Sequence, residues 1–457
     1  MEILTFELIQ HTPIIHFQAG DMGATLRASE VKPKLDRYLC KNFPHRTKGH
    51  ETDLMGDKTN TKLSLNYKMS FRAKNIKTWN IEKNNAPMFF GNLSNDPENR
   101  DKKALSVASG GVTMTIIINE ESQKEFFTKK CIANFFLLHN FGTRQSKGYG
   151  SFTLREDSED CIWERANKIY EDLAFKIRIG IYADKLRSIN FQGSKTREII
   201  AFYKVIFKGI EYLYRSLRSG INEYRKNKNS DYKTEDENIF YMKPAIYCYA
   251  KHLGCNWDKF YIKRKIAQKI PNIKYSNQDK KKIEKLKRDK TNANEENDTS
   301  TPYYDFRDML GFSTVETWNY YNKIKIQKEY TTLHNGKIEK INRMKSPIQF
   351  KPIFLRNNDN SGYELWVFIG IFEEEVGLTG LLNSKAQVKV TAKKGLLGNG
   401  KATENFIFHE KISIKNFLDT VFSQEDFFPH MDEKDTEEGE EIKEFLSDIY
   451  IQLKDLY

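Results

Sequence analysis

The order of strand and helix patterns in residues 1–158 constrains the fold of this chain more than any other feature. Apolar and polar residues alternate over "EILTFELI", residues 2–9, as they do in a half-buried strand. Val31, Leu35 and Leu39 then recur at the spacing of one helix face, and Ser29 is placed to cap that helix. Two strand patterns, a second helix pattern and a last strand pattern follow, at residues 63–71, 112–119, 121–140 and 151–156. This order predicts an α+β chain that begins with a ferredoxin-like (RRM-like) βαββαβ domain.

Composition divides the remaining chain into two further segments. Residues 159–300 contain three apolar helix patterns and end in a lysine-rich stretch with few apolar residues, which predicts a helical insertion with a basic linker. Strand patterns return in residues 301–457, and two helix patterns near the end of the chain flank an acidic run. Because 457 residues exceed what one core usually holds, we predict three domains, at 1–158, 159–300 and 301–457.

The charge balance of the chain is basic, with a formal net charge of +12 and a sequence pI of about 9.1. A balance of this size favours a polyanionic partner, either nucleic acid or an anionic membrane surface, although an ordinary lysine-rich surface gives the same total. No stretch approaches the roughly 20 apolar residues of a membrane span, and the first residues lack the basic start of a secretory signal. We therefore expect a cytoplasmic protein without a membrane partner.

Metal and cofactor chemistry has little support in the residues. The five cysteines are far apart and form no CxxC pair, and no His or Cys pair has the spacing of a zinc site. The glycines of residues 142–150 follow a helix pattern and precede a strand pattern, which is the reverse of a nucleotide phosphate loop. We expect no metal and no cofactor.

The stretch "NFGTRQSKGYGSFTL", residues 140–154, contains three glycines and two positively charged side chains in one short turn. Successive N–H groups of such a turn can form a nest for an anion, and Arg144 and Lys147 add charge for phosphate. Tyr149 is placed to stack on a base. The alternative is structural: Gly142 ends the preceding helix, and the other glycines form a hairpin-like turn.

Three segments resemble motifs of the RAMP superfamily, the RNA-binding subunits of CRISPR effector complexes. "GTRQSKGYGS" resembles the glycine-rich loop of these proteins, which ends in R/K-G-[FY]-G, with matches at Gly142, Arg144, Lys147, Gly148, Tyr149 and Gly150. "TPIIHFQAGDMGATLRASEVKPKLDRYL" is similar to the segment that opens their first helix, with matches at Thr12, Pro13, Leu26, Arg27, Ser29 and Arg37. Glu30 and Lys32-Pro33 depart from that pattern, which more usually contains Gly-Leu.

The third segment, "RMKSPIQFKPI" at residues 343–353, resembles an R-x-x-SP…K strand of one RAMP branch. That branch is the large subunit that caps one end of the backbone of type III-B (Cmr) complexes. The resemblance implies two ferredoxin-like units with a helical part between them. We therefore expect a second ferredoxin-like, β-rich domain in residues 301–457.

The resemblance also implies a function, that of a non-catalytic RNA-binding subunit in antiviral defence. Its expected partners are CRISPR RNA, target RNA and the neighbouring RAMP subunits of a ribonucleoprotein complex. We expect no catalytic residue. The residues expected to contact RNA are Arg27, Lys32, Lys34, Arg37, Gly142, Arg144, Ser146, Lys147, Gly148, Tyr149 and Gly150.

Two other functions remain open at this stage. A metal-independent RAMP endoribonuclease that processes CRISPR RNA would need a histidine as general acid or base, and the candidates are His11, His16, His45 and His50. Asp21, Asp53 and Asp57 lie beside turn residues and are better explained as turn chemistry than as catalytic groups. A DNA-binding protein that uses the helical middle has only the basic charge in its favour. The helical stripe Tyr203, Phe207, Ile210 and Tyr214 predicts a buried face rather than a stacking platform.

Overall fold

The structure is a computed structural model that describes part of the 457-residue chain. The described residues are 1–16, 25–43, 64–80, 104–119, 121–156, 158–171, 175–178, 195–225, 237–255, 269, 306–313, 317–320, 324–334, 337–341, 343–356, 363–373, 377–383, 386–393, 401–407, 413–423, 431–433 and 437–455. Several sequence-based candidates lie outside these residues, namely Asp21, His45, His50, Asp53, Asp57, the side chain of His16 and the lysine-rich stretch 275–302.

Helices and strands both contribute to the described part of the chain, which is α+β as the sequence predicts. The helices are α1 (Ala28–Asn42), α2 (Lys129–Leu138), α3 (Glu159–Glu171), α4 (Thr196–Arg218), α5 (Ala245–His252), α6 (Leu378–Asn383), α7 (Ile414–Ser423) and α8 (Glu437–Lys454). Short 3₁₀ segments span Glu121–Phe127 and Arg307–Leu310.

The strands in the first half of the chain are β1 (Glu2–Gln10), β2 (Ile14–His16), β3 (Lys68–Ala73), β4 (Ile76–Asn80), β5 (Ala104–Ala108), β6 (Val112–Ile118), β7 (Phe152–Leu154), β8 (Phe175–Arg178), β9 (Ile221–Arg225) and β10 (Glu237–Met242). Those in the second half are β11 (Phe312–Ser313), β12 (Thr317–Tyr320), β13 (Ile324–His334), β14 (Lys337–Lys340), β15 (Arg343–Met344), β16 (Ile348–Arg356), β17 (Tyr363–Ile371), β18 (Gln387–Lys393), β19 (Lys401–Ile407) and β20 (Met431–Glu433).

The chain forms two compact units. The first comprises residues 1–213, 349–370 and 445–456, and the second comprises residues 214–348, 371–444 and 457. Both units are discontinuous in sequence, whereas the three predicted domains are continuous segments. The three-domain division stays a prediction.

The first unit is built around a four-stranded antiparallel sheet with the order β3-β6-β1-β7. Helix α1 follows β1 in the chain, and α2 follows β6, as the sequence patterns predict. The unit also contains the three-stranded sheets β2-β5-β4 and β16-β17-β8. Strands β16 and β17 correspond to the predicted strand patterns in residues 343–355 and 363–372.

The core of the first unit lies between the main sheet and the helices α1 and α2. Leu8 and Met114 of the sheet are fully buried in it. The predicted α1 stripe of Val31, Leu35 and Leu39 is also fully buried, so the helical period identified the correct face. Burial of such side chains stabilises the fold by about 1.5–3 kcal/mol each.

Three boundaries of the helices α1 and α2 differ from the sequence-based prediction. Helix α1 begins at Ala28 with Arg27 at its N-cap, and Ser29 therefore lies inside the helix and does not cap it. The pattern 121–140 divides at Thr128, whose hydroxyl accepts the Cys131 N–H and starts α2. Helix α2 ends at Leu138, so Gly142 is not its cap and lies in the turn that follows.

The second unit contains a sheet in which β12, β13, β18 and β19 are neighbours in that order, with β14 on the side of β13. The strand predicted at 387–393 is confirmed as β18. The sheet order follows the chain order, and it does not have the crossed order of a ferredoxin-like domain. Strands β9 and β10, within the segment predicted to be helical, pair with each other, and β10 also pairs with the distant β20. A local pattern does not reveal such a long-range pairing.

Candidate nucleic-acid interface

The glycine turn between α2 and β7 has a backbone that only glycine fits at several positions. Gly142, Gly148 and Gly150 have φ angles of 78°, 85° and 66°, and Arg144 also adopts a positive φ of 59°. A Cβ at Gly150 would lie 2.0 Å from the carbonyl oxygen of Phe141. The glycines are therefore required by the packing of the turn itself.

Several N–H groups of this turn are bonded within the protein. Phe141 N–H donates to the Gly150 carbonyl at 2.9 Å, and Thr143 N–H donates to the Ile15 carbonyl at 2.9 Å. Gly150 N–H donates to the Pro13 carbonyl at 2.9 Å, and the N–H groups of residues 147 and 148 close bonds inside the turn. Because these donors are occupied, they do not take part in the expected anion nest in this structure.

Helix α1 holds the glycine turn through two side chains of one helix face. The Glu30 carboxylate accepts the N–H of Gly142 and, at 3.2 Å, the side-chain amide of Gln145. The Lys34 ammonium donates to the carbonyl of Asn140 and to Gln145 Oε1, both at 2.7 Å. Two segments more than 100 residues apart in sequence are thereby joined, as the separation of 106 positions between Lys34 and Asn140 shows.

The cations expected to contact RNA fall into two groups. Arg37 lies one helical turn beyond Lys34, is exposed, and its Nε donates within the helix, to the Pro33 carbonyl at 3.2 Å. Arg27, Arg144 and Lys147 are half-buried at the helix start and in the turn. Together with Lys34 they place positive charge on α1 and on the turn that α1 holds.

Lys32 belongs to the second group and has a structural role. Its ammonium contacts Asp36 Oδ2 at 2.9 Å, donates to the Leu65 carbonyl at 2.7 Å and lies 4.2 Å from the centre of the Tyr67 ring. Asp36 is buried and also accepts the Leu65 N–H at 3.3 Å. Lys32 therefore connects α1 to the segment before β3, away from the glycine turn.

Tyr149 has a different place from the one that the sequence predicts. Its side chain is completely buried and stacks on Phe207 of α4, with ring centres 3.7 Å apart. Burial raises the pKa of its hydroxyl well above the ordinary value. A ring in this position packs in the core, so the prediction that Tyr149 stacks on a base is wrong for this structure. Gly148 and Gly150 are buried with it, while the Ser146 carbonyl accepts the Phe350 N–H at 3.2 Å.

The aromatic stripe of α4 confirms the sequence-based prediction at three of its four positions. Tyr203, Phe207 and Ile210 are buried, whereas Tyr214 is half-buried. The hydroxyl of Tyr203 donates to the His11 carbonyl at 3.1 Å. The stripe is therefore part of the core, and its Phe207 packs against Tyr149 of the glycine turn.

Two protein-family models match almost the whole chain. Residues 1–221, which include α1 and the glycine turn, match the family model described as the Cmr1 N-terminal domain. Residues 241–446 match the family model described as the Cmr1 C-terminal domain. The chain belongs to the Cmr1 family.

Membership in the Cmr1 family confirms the resemblance to RAMP proteins and to their type III-B branch. Cmr1 proteins are subunits of the type III-B CRISPR effector, the Cmr complex, so this chain is a subunit of such a complex. No curated protein and no solved structure matches the chain.

Lys351 in β16, the lysine of the R-x-x-SP…K segment, is a structural residue of this Cmr1 chain. It is completely buried, and its ammonium donates to the carbonyls of Phe136, His139 and Phe152 at 2.7, 2.9 and 2.8 Å. Burial lowers its pKa well below the ordinary value. The three carbonyls belong to the segments on either side of the glycine turn. The sequence signals are its place in the R-x-x-SP…K segment and a lysine within the apolar run "IQFKPIFL".

The described histidines of the first unit are poor candidates for acid–base catalysis. His11 is buried, its Nδ1 accepts the Phe354 N–H at 3.1 Å, and its Nε2 lies 2.8 Å from Thr153 Oγ1. Burial lowers the pKa of His11 to about 3, and the charge of Lys351 lowers it as well. His139 donates from Nδ1 to the Phe135 carbonyl at 2.9 Å, and burial lowers its pKa to about 3. The ring of His11 is buried and that of His139 is half-buried, and both lowered pKa values favour the neutral form.

Metal-ligand clusters and membrane-spanning helices are both missing from the described part of the chain. Within it, no group of three or more His, Cys, Asp or Glu side chains could hold a metal ion. None of the helices among the described residues is long and apolar enough to cross a membrane.

Proposed function

We propose that this Cmr1 chain is a non-catalytic RNA-binding subunit that contacts CRISPR RNA or its target RNA through the α1–turn surface. We define this surface as the side chains of Arg27, Glu30, Lys34, Arg37, Arg144 and Ser146; Lys147 lies in the same turn, but its Nζ is buried. The observation that carries the proposal is the junction made by Glu30 and Lys34, which brings the cations of α1 and of the turn together. The surface has four cations and one carboxylate, that of Glu30, and therefore suits a polyanion.

The mode of binding that the structure supports is contact between side chains and phosphates. Because several N–H groups of the turn are bonded internally, the glycines shape the surface, and the side chains of Arg37 and Arg144 provide the charge. The Nζ of Lys147 is buried in this structure. Contacts of this kind position an RNA strand without reading its sequence. The proposed partners are thus CRISPR RNA and target RNA, in the cytoplasm where these RNAs occur.

We propose a ferredoxin-like fold for the first unit, and the order of its main sheet supports it. In the order β3-β6-β1-β7, the second, third, first and fourth strands of the βαββαβ pattern are neighbours, and all pairs are antiparallel. An RNA-recognition motif with this fold stacks bases on aromatic rings of its open sheet face. Here Phe6 and Phe71 pack against the core cluster, and the exposed positions of the described strands include Thr5, Ser70 and Arg72. Base stacking on the sheet is therefore not part of the proposal.

The absence of catalysis is part of the proposal and is supported by the surroundings of the histidines. The ring of His11 is buried and that of His139 is half-buried, and burial lowers both pKa values to about 3, which does not suit a general acid or base at neutral pH. We expect that purified protein does not cut a repeat RNA in a single-turnover assay. Cleavage that disappears in a His16→Ala or His45→Ala variant would favour the endoribonuclease instead.

The α1–turn surface is tested by neutralising its cations and following the salt dependence of RNA binding. We expect the Arg37→Gln, Arg144→Gly double variant to bind unrelated single-stranded RNAs more weakly, by similar factors. Glycine is used at position 144 because the backbone there has a positive φ, which alanine adopts poorly. The plot of log affinity against log salt should become shallower by about 0.7 for each phosphate that the variant no longer neutralises.

The matched control is Arg72→Gln, which removes one exposed arginine from β3 in the same unit. This variant should leave the salt slope unchanged, because Arg72 lies outside the α1–turn surface. An unchanged slope in the double variant, or an equal change in the control, would contradict the proposed RNA site.

A further inference from the structure

Strand β1 has an open edge over its first half. Its pairing with β6 runs from Glu2 to Leu8, but its pairing with β7 on the other side covers only residues Leu8 to Gln10. The described part of the chain has no strand beside residues 2–6 on that second side. An edge of this kind presents backbone groups that can pair with another extended chain.

The direction of these backbone groups follows from the bonds further along β1. The Glu7 carbonyl accepts the Arg155 N–H at 2.7 Å, and the His11 N–H donates to the Ser151 carbonyl at 2.9 Å, both on the β7 side. Because backbone groups alternate in direction along a strand, the N–H and C=O groups of Ile3 and Thr5 point to the same side. Two residues therefore offer a donor and an acceptor each at the open edge.

A groove lies along this edge. Its first part has a cavity volume of about 570 Å³ and is formed by residues 3–6 of β1 and by residues 124–129 at the start of α2. A second part of about 500 Å³ continues past Thr5, Phe6 and Lys129 to residues 154–156. We call these two parts together the β1 edge groove. Ile3 beside it is 64% exposed, which is unusual for isoleucine.

The charge of the β1 edge groove differs from that of the α1–turn surface. Three cations line the groove, Lys124, Lys129 and Arg155, and three carboxylates balance them, Glu7, Glu125 and Glu156. Lys124 also contacts Glu2 at 2.6 Å, and Glu156 contacts Arg165 at 2.9 Å. A lining of this kind gives no net attraction to RNA, whereas outward backbone groups and an exposed Ile3 suit a polypeptide.

We propose that the β1 edge groove receives an extended segment of a neighbouring protein subunit of the Cmr complex. The segment would add a strand antiparallel or parallel to residues 2–6 of β1, with main-chain hydrogen bonds to Ile3 and Thr5 and apolar contact with Ile3. The inference rests on the place of the chain in a Cmr complex and does not depend on RNA binding by the α1–turn surface.

The first test removes one outward donor of β1. Proline at an edge position is tolerated when the missing N–H faced solvent, so Thr5→Pro should keep the pairing of β1 with β6. We expect the full-length variant to enter the complex about fivefold to tenfold less well in competition with the unmodified chain, when both are co-expressed with the other subunits and guide RNA. Thr5→Val, which retains the N–H, should be incorporated normally. Binding of isolated Thr5→Pro to RNA should be unchanged, which separates this inference from the proposed RNA site.

The second test needs no variant and therefore does not depend on the folding of Thr5→Pro. Hydrogen–deuterium exchange of peptides that cover residues 2–8 is compared in the free chain, in the chain with RNA and in the assembled complex. We expect slower exchange of the Ile3 and Thr5 amides in the complex only. Equal exchange in all three states, protection by RNA alone, or protection that appears when the free chain is concentrated would each overturn the proposal.

Discussion

At the scale of single residues, the neutral histidines make stability depend on pH. In the folded protein His11 and His139 have pKa values of about 3, whereas histidine in an unfolded chain titrates near 6.5. Between these values the unfolded state binds more protons, so the free energy of unfolding falls as the pH falls from about 6.5 towards 3. We expect a loss of about 2 kcal/mol per histidine between pH 7 and pH 5, measured by urea unfolding.

The His11→Gln variant isolates the contribution of His11 to the pH dependence of the free energy of unfolding. Its side-chain amide can accept the Phe354 N–H and donate to Thr153, so the two contacts of His11 can be kept without a titrating group. We expect this variant to lose about half of the pH dependence that the two histidines cause. A pH dependence equal to that of the unmodified chain would show that His11 is not held neutral.

Lys351 permits a second prediction at this scale. Lys351→Met keeps the length of the side chain but leaves the carbonyls of Phe136, His139 and Phe152 without this donor. Because buried acceptors without a donor are costly, we expect the free energy of unfolding to fall by about 3 kcal/mol. Lys68→Met, at an exposed position of β3, should change it by less than about 0.5 kcal/mol. Equal losses in the two variants would contradict the role assigned to Lys351.

At the scale of elements, the junction between α1 and the glycine turn depends on Glu30. Removal of a carboxylate from a basic surface should strengthen RNA binding if charge alone decides. We expect the opposite for Glu30→Ala, a loss of about fivefold in RNA affinity, because the Gly142 N–H and Gln145 lose the acceptor that holds the turn on α1. Filter binding at constant salt measures this change.

Glu121→Ala is the control for Glu30→Ala, since it removes an exposed carboxylate of the same unit outside the junction. Its RNA affinity should stay the same or rise slightly. If Glu30→Ala binds RNA more tightly than the unmodified chain, the junction does not organise the surface.

The sequence predicts elements well where the information is local. The period of Val31, Leu35 and Leu39 identifies the buried face of α1, and the alternation in residues 2–9 identifies β1. Contacts over long separations are not visible in such patterns. Lys351 bonds to a carbonyl 215 positions away, and the burial of Tyr149 depends on a ring in α4.

The candidate site shows the same division between local and distant information. The glycine motif and the RAMP resemblance locate the turn and α1 correctly. The N–H groups of Thr143 and Gly150 in the turn donate to the carbonyls of Ile15 and Pro13. These carbonyls approach the turn only in the folded chain, so the sequence does not reveal the bonds. Glu30, the residue that departs from the family pattern, is the acceptor that joins the two segments.

At the scale of the whole molecule, the chain has a net charge of +12, but the α1–turn surface contains only a few of its 74 lysines and arginines. The α1–turn surface can reach few phosphates, so we expect weak, salt-sensitive binding of RNA by the isolated chain. Neighbouring subunits that hold the same RNA make this contact effectively intramolecular and raise its strength. Co-expression with the other subunits and guide RNA, followed by size exclusion, should therefore give stable incorporation. A chain that elutes alone while the others assemble on RNA would contradict this expectation.

The most direct test of the proposed RNA contact is cross-linking in the assembled complex. Guide RNA and target RNA that carry photoreactive uridines are irradiated, and the cross-linked peptides of this chain are identified by mass spectrometry. The proposal predicts cross-links in residues 27–43 and 140–148, on either side of the Glu30 junction, with RNAs of unrelated sequence. Cross-links confined to other parts of the chain, with both of these segments unmodified, would contradict it.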